Sequence, residues 1–240
     1  MSVKNTRSEF INGIISGIPI ALGYLSVSFA FGIQAVGAGL TGIQAGIISL
    51  TNLTSAGQVA GVEVIASSGS LIEMAVVQLT INIRYALMGI SLSLNIDSDF
   101  TLRHRLLASF GITDEIFAVC STNEDPITPF YMYGMIMIAL AGWVGGTLIG
   151  GFAGMVLPSV ITSALGIVIY GMFIAIIVPP ASKQRSILFA VVISALMSIG
   201  CRNLLSDLSN GFCIIICAVS ASILAALFFP KKNDKEEDMQ

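Results

Sequence analysis

Charge is what this chain has least of: 10% of its 240 residues are Asp, Glu, Lys or Arg, and there is a single histidine. A soluble domain needs a charged surface, so the middle of the chain is excluded from that class. The lone His104 lies in a basic stretch, Arg103-His104-Arg105, and neither an HExxH nor a GxxxxGK sequence occurs. Zinc hydrolysis and phosphate-cradling nucleotide chemistry therefore lack their usual residues. An intramembrane serine protease would need a histidine at depth to activate its serine, and none is present. The four cysteines (Cys120, Cys201, Cys213, Cys217) sit inside apolar segments, without a disulfide framework or a CxxC metal pattern. No cofactor is expected. No basic patch points to nucleic acid; the acidic balance, net −3, reflects a short tail running from Asp234 to Asp238.

What remains is apolar: 55% hydrophobic residues and a mean hydropathy of +0.90. A bilayer crossing takes about 20 mostly apolar residues. Candidate segments fall at 11–33, 42–66, 70–94, 106–122, 129–156, 160–178, 186–205 and 211–229. The expected fold is all-α: one polytopic domain, residues 1–240, with seven or eight transmembrane or re-entrant helical segments, some broken at mid-membrane. The charged start is followed by an apolar run too long for a signal peptide, so it reads as a retained first span. Pro19, flanked by Gly13, Gly17 and Gly23, marks a kink or break in that span.

Cations cluster at Lys4/Arg7, Arg103/His104/Arg105, Lys183/Arg185 and Lys231/Lys232/Lys235. The positive-inside rule places all four clusters in the cytoplasm, which requires an even number of crossings between them. Three segments lie between the first two clusters and three between the next two, so one in each triplet should be re-entrant or broken. The suspects are 42–66, interrupted by Thr51 through Gln58, and 106–122, interrupted by Gly111 through Glu115. Ser16-Gly17-Ile18 and Ser109-Phe110-Gly111-Ile112 hint that the triplets form a repeat, a habit of transporters with broken helices.

Arg84 stands near the centre of an apolar stretch and is the first candidate for a site. A charge at that depth costs about 2.5–3.5 kcal/mol on insertion scales, so it is paired, hydrated or functional. Helical spacing puts Glu73, Thr80 and Arg84 on one stripe and Gln78, Asn82 and Tyr85 on another, so the helix should be buried among its neighbours. Arg84 either serves a ligand or closes a packing pair with Asp114, Glu115 or Glu63. The run Thr54-Ser55-Ala56-Gly57-Gln58 offers an unwound centre whose half-helix terminus attracts a carboxylate, or else a small-residue packing patch. The adjacent acids Asp114 and Glu115 point to different faces, as titrating groups or as headgroup and Arg84 partners. Gly142, Gly146, Gly150 and Gly154 form a flat face for a close neighbour, internal or from another chain, with Trp143 beside it as a possible interfacial anchor.

Several stretches together resemble the AzlC family: Pro19 through Tyr24 followed by Ala30-Phe31-Gly32, then Ser55-Ala56-Gly57-Gln58, then Asn82-Ile83-Arg84-Tyr85-Ala86-Leu87-Met88, and Phe110 through Phe117. The similarity spans roughly 8–180, and Cys201-Arg202-Asn203-Leu204-Leu205 departs from the histidine-containing stretch expected there. The resemblance implies an exporter of leucine, isoleucine, valine or a similar apolar amino acid from the cell, seated in the inner or plasma membrane with a small AzlD-type membrane subunit. The polar residues of the spans fit such a substrate, so Gln58, Asn82, Arg84, Gly57, Ser55 and Tyr24 are expected to bind it, with Asp114 or Glu115 as proton or ammonium partner. A scaffold subunit docking through its glycine face and a channel for small polar solutes are the other functions these features allow.

Overall fold

In a computed structural model the described residues are 6–123, 125–156, 158, 160, 171, 174, 177–179, 181–204, 208 and 210–229. They are helical: α1 (Thr6–Gly37), α2 (Gly42–Thr51), α3 (Ala56–Ala66), α4 (Leu71–Leu92), α5 (Leu102–Ser109), α6 (Asp114–Ser121), α7 (Pro129–Val156), α8 (Arg185–Leu204) and α9 (Asn210–Phe228). Five of these, α1, α4, α7, α8 and α9, are long and apolar enough to cross a bilayer. The chain is an all-α polytopic membrane protein. The expected segment at 160–178 lies largely outside the described residues, as do Lys4, Glu124 and the Lys231 cluster. The helices divide into two compact units, one of residues 1–62 and 81–170, the other of 63–80 and 171–240.

The first unit is built on α1 and α7, which run parallel and in register. Gly13 lies against Tyr131, Ala21 against Gly142, Leu25 and Ser28 against Gly146, Phe29 against Gly150, and Ile33 against Gly154. A Cβ at Gly142, Gly146 or Gly150 would overlap backbone or side-chain atoms of α1. The glycine face therefore serves close helix packing, and its neighbour is internal. α1 stays helical through Pro19, so of the expected kink or break the break does not form; Gly13 and Gly17 lie against α7, the rail on which α1 packs.

Both interrupted segments are broken, as their polar centres predict. The first divides into α2 and α3 around Asn52–Ser55, with Ser55 at φ 50°, and the second into α5 and α6 around 110–113. Contacts along the rail fix their depth. α2 starts with Gly42 beside Gly151, and the chain reaches the level of Trp143 by Gln58. The second pair comes from the opposite end: His104 meets Tyr133, Gly111 packs on Ile136, and Thr113 touches Tyr24. It then returns, since Asn95 binds the carbonyls of Cys120 and Asn123, and Asp97 N–H donates to the Ile127 carbonyl. Glu9, at the start of α1, accepts from Thr128 at that same end. α5 and α6 thus form a re-entrant pair that enters and leaves where α1 begins. Tyr24, 15 residues beyond Glu9, marks its innermost point at about 22 Å of helical rise.

In the second unit α8 packs on α9, and the buried Glu73 carboxylate accepts from Gly211 N–H at 3.1 Å, capping the positive start of α9. Glu73 therefore answers a helix terminus, although helical spacing aligns it with Arg84.

Candidate functional site

The two breaks meet at one depth, on the edge-to-face contact of Tyr24 with Trp143, ring centroids 5.1 Å apart. On the side of the first break, hydrogen bonds form a closed circuit. Trp143 Nε1 donates to Gln58 Oε1 (2.7 Å), and Gln58 Nε2 donates to Ser49 Oγ (2.7 Å). Ser49 and Thr147 hydroxyls lie 2.7 Å apart, and Thr147 donates to the Trp143 carbonyl at 3.0 Å. Because Thr147 uses its proton there, Ser49 donates to Thr147 and the ring of bonds closes, each of its hydroxyl, indole and amide groups holding a partner. All four residues are buried.

The second break is different in kind. Thr113 caps α6, its hydroxyl accepting from Ile116 N–H, and the first turn carries Asp114 and Glu115 where the helix dipole favours anions. Successive helical positions point apart, so the two acids find different partners. Asp114 pairs with Arg84 through two contacts, at 2.8 and 3.0 Å, and Arg84 also donates to the Tyr85 hydroxyl at 3.3 Å. Glu115 accepts from the Tyr24 phenol at 2.5 Å. That phenol has one proton, so at its second contact, 2.6 Å from Thr113 Oγ1, it acts as the acceptor.

Charge decides what this arrangement can do. Arg84 and Asp114 cancel, while Glu115 is held by a neutral phenol, so the cluster carries one net negative charge when all three are ionised. The Arg84 and Asp114 side chains are each 45% exposed in the chain by itself. α4 as a whole is poorly covered, with 11% of its apolar window buried. This corrects the expectation, drawn from its polar stripes, that α4 sits buried among its neighbours: Glu73 is covered, while Arg84 lies open.

Of the sequence candidates, Tyr24, Arg84, Asp114 and Glu115 come together. Gln58 instead belongs to the sealed circuit, where its amide is engaged at both atoms. Gly57 and Ser55 form the turn into α3, with Gly57 N–H donating to Thr54 O at 3.2 Å. Asn82 is half-buried on α4. Trp143 is 2% exposed at mid-helix, so it is no interfacial anchor; its indole N–H has a buried partner in Gln58, which makes depth affordable. Ser49, Thr113 and Thr147 were not singled out by their chemistry. Their signal was a hydroxyl in an apolar helix or at a helix start, too common to stand out.

The sequence profile described as "AzlC protein" matches residues 19–157, more than half of the chain and all of the cluster just described. The chain belongs to the AzlC family. It is 26% identical over 230 residues to the Inner membrane protein YgaZ of Escherichia coli (strain K12), covering 92% of each chain. It is 30% identical over 181 residues to an uncharacterized membrane protein of Archaeoglobus fulgidus, covering 75% of this chain and 79% of that one. No solved structure matches it.

Proposed function

We propose that this AzlC-family protein is a secondary exporter of branched-chain or similar apolar amino acids, acting with a small AzlD-type subunit in the cell membrane. The observation that carries the reading is the net negative cluster Arg84–Asp114–Glu115 at the meeting of two broken helices. A zwitterion needs both signs in one place. Glu115 serves the ammonium, or a coupling proton, and Arg84 serves the carboxylate. Tyr24, itself bonded to Thr113, holds Glu115 ready by a hydrogen bond that a cation competes with.

The open flank supports a partner subunit. Charges at bilayer depth do not face lipid, so the exposed sides of Arg84 and Asp114 call for a second membrane chain or a water-filled path to cover them. The scaffold alternative, by contrast, loses its surface, because the glycine face meant for docking is filled by α1. The test is counterflow of labelled leucine in vesicles containing this chain with and without the small subunit. An exporter exchanges leucine when both are present. A channel gives no counterflow, and that result would refute the proposal.

A further inference from the structure

Beside the re-entrant pair, at the end where α1 begins, lies a small cavity of about 180 Å³. Its lining is mostly carbon, with Leu92, Ile96, Phe100, Ile112 and Met132, and it includes Arg105. Gly89 also lines it, and a Cβ there would meet only Ile112 Cδ1, at 3.9 Å. Arg105 Nε donates to the Phe100 carbonyl at 3.3 Å, which orients the group and leaves its two Nη atoms for a ligand. Ile112 at the inner wall immediately precedes Thr113, the residue that touches Tyr24.

We propose that this cavity is a binding vestibule for a small carboxylate with a short branched apolar tail, such as an amino acid of the leucine type. Drug-sized ligands need roughly 300–1,000 Å³, so this volume selects a ligand well below that size, on the order of a single amino acid. A planar guanidinium matches a carboxylate in bidentate fashion, while the mostly carbon lining receives the tail; its two serines, Ser93 and Ser109, spend their protons on the Ile90 and Leu106 carbonyls. The basic residues Arg103 and Arg105 border this end, so by the positive-inside rule it faces the cytoplasm, where an exported solute is loaded. That direction rests on the export reading; the chemistry of the cavity does not.

The test uses the full chain with its small subunit in vesicles, a diazirine analogue of leucine as probe, and the variants Gly89→Leu and Arg105→Gln. At Gly89 a Cβ makes only an ordinary contact and leucine favours helix, so Gly89→Leu narrows the cavity, and folded yield is measured beside it. Labelling of the unaltered protein is expected at Leu92, Ile112 or Met132, and Gly89→Leu abolishes it. Arg105→Gln raises the KM for leucine efflux about tenfold, the loss of one charge-assisted pair, with kcat little changed, and Arg105→Lys restores part. Unaltered labelling and KM in both variants, with efflux intact, would overturn the vestibule and leave the transport reading standing. Labelling in the cavity without leucine efflux would do the reverse. Labelling there by a diazirine fatty acid in preference to the leucine probe assigns the space to lipid and refutes the proposal.

Discussion

The two helix breaks sit at the same depth on opposite faces of one aromatic contact, yet they solve the same physical problem in different ways. The break between α2 and α3 is neutral and sealed: Trp143, Gln58, Ser49 and Thr147 are buried and bond to one another. The break between α5 and α6 is charged and open, with Arg84 and Asp114 each 45% exposed and Glu115 held by Tyr24. A broken helix at bilayer depth is thus not by itself a site. Where the freed polar groups pair among themselves, the break is architecture; where charge and exposure are left over, it is available for chemistry.

Three substitutions sharpen this contrast. The largest effect is expected from Gly146→Leu, which drives a side chain into Ser28 and the Leu25 carbonyl on the rail that carries both breaks. Overpacking against backbone exceeds the usual 1–3 kcal/mol, so monodisperse protein in detergent should fall by more than about tenfold. A normal yield would mean that the rail is not what positions the breaks. Next is Gln58→Leu, which strands the Trp143 indole N–H and removes the donor to Ser49. It should lower thermal stability by about 1–3 kcal/mol while leaving efflux per folded molecule within about twofold of the parent. A selective loss of transport at unchanged stability would show that the neutral break is functional after all. Tyr24→Phe is the mildest: it deletes the hydroxyl between Glu115 and Thr113 at a cost near 1 kcal/mol. Efflux per folded molecule should drop about fivefold while stability falls by no more than that, and wild-type efflux would show that the phenol does not position Glu115.

Much of this was readable from residues. The long apolar runs gave the spanning helices, and the polar interruptions at Thr51 through Gln58 and Gly111 through Glu115 gave both breaks, because Gly and hydroxyl residues in an apolar run weaken a helix where it has no water. Arg84 was visible as a charge without company, and Asp114 is among the partners its position allows. What could not be read was allegiance between distant segments. Gln58 and Arg84 look alike in sequence, as polar groups in mid-span, and only the packing of α7 reveals that one has Trp143 for a partner. Glu73 shares a helical stripe with Arg84, but the start of α9, well over a hundred residues on, claims it. Helical periodicity assigns faces and says nothing about what lies opposite them.

The central claim is that the charged break carries function and that the Arg84–Asp114 pair does more than hold helices together. Amino-acid efflux by Arg84→Met combined with Asp114→Asn tests it most directly, measured at matched membrane levels against the parent and the Arg84→Met single variant. The double variant removes both charges together, so no lone charge is stranded at depth, and a packing pair would tolerate it. Loss of efflux in both variants, with the double variant folded normally, is the predicted result. Parental efflux in either would contradict the account and leave the pair as a packing element.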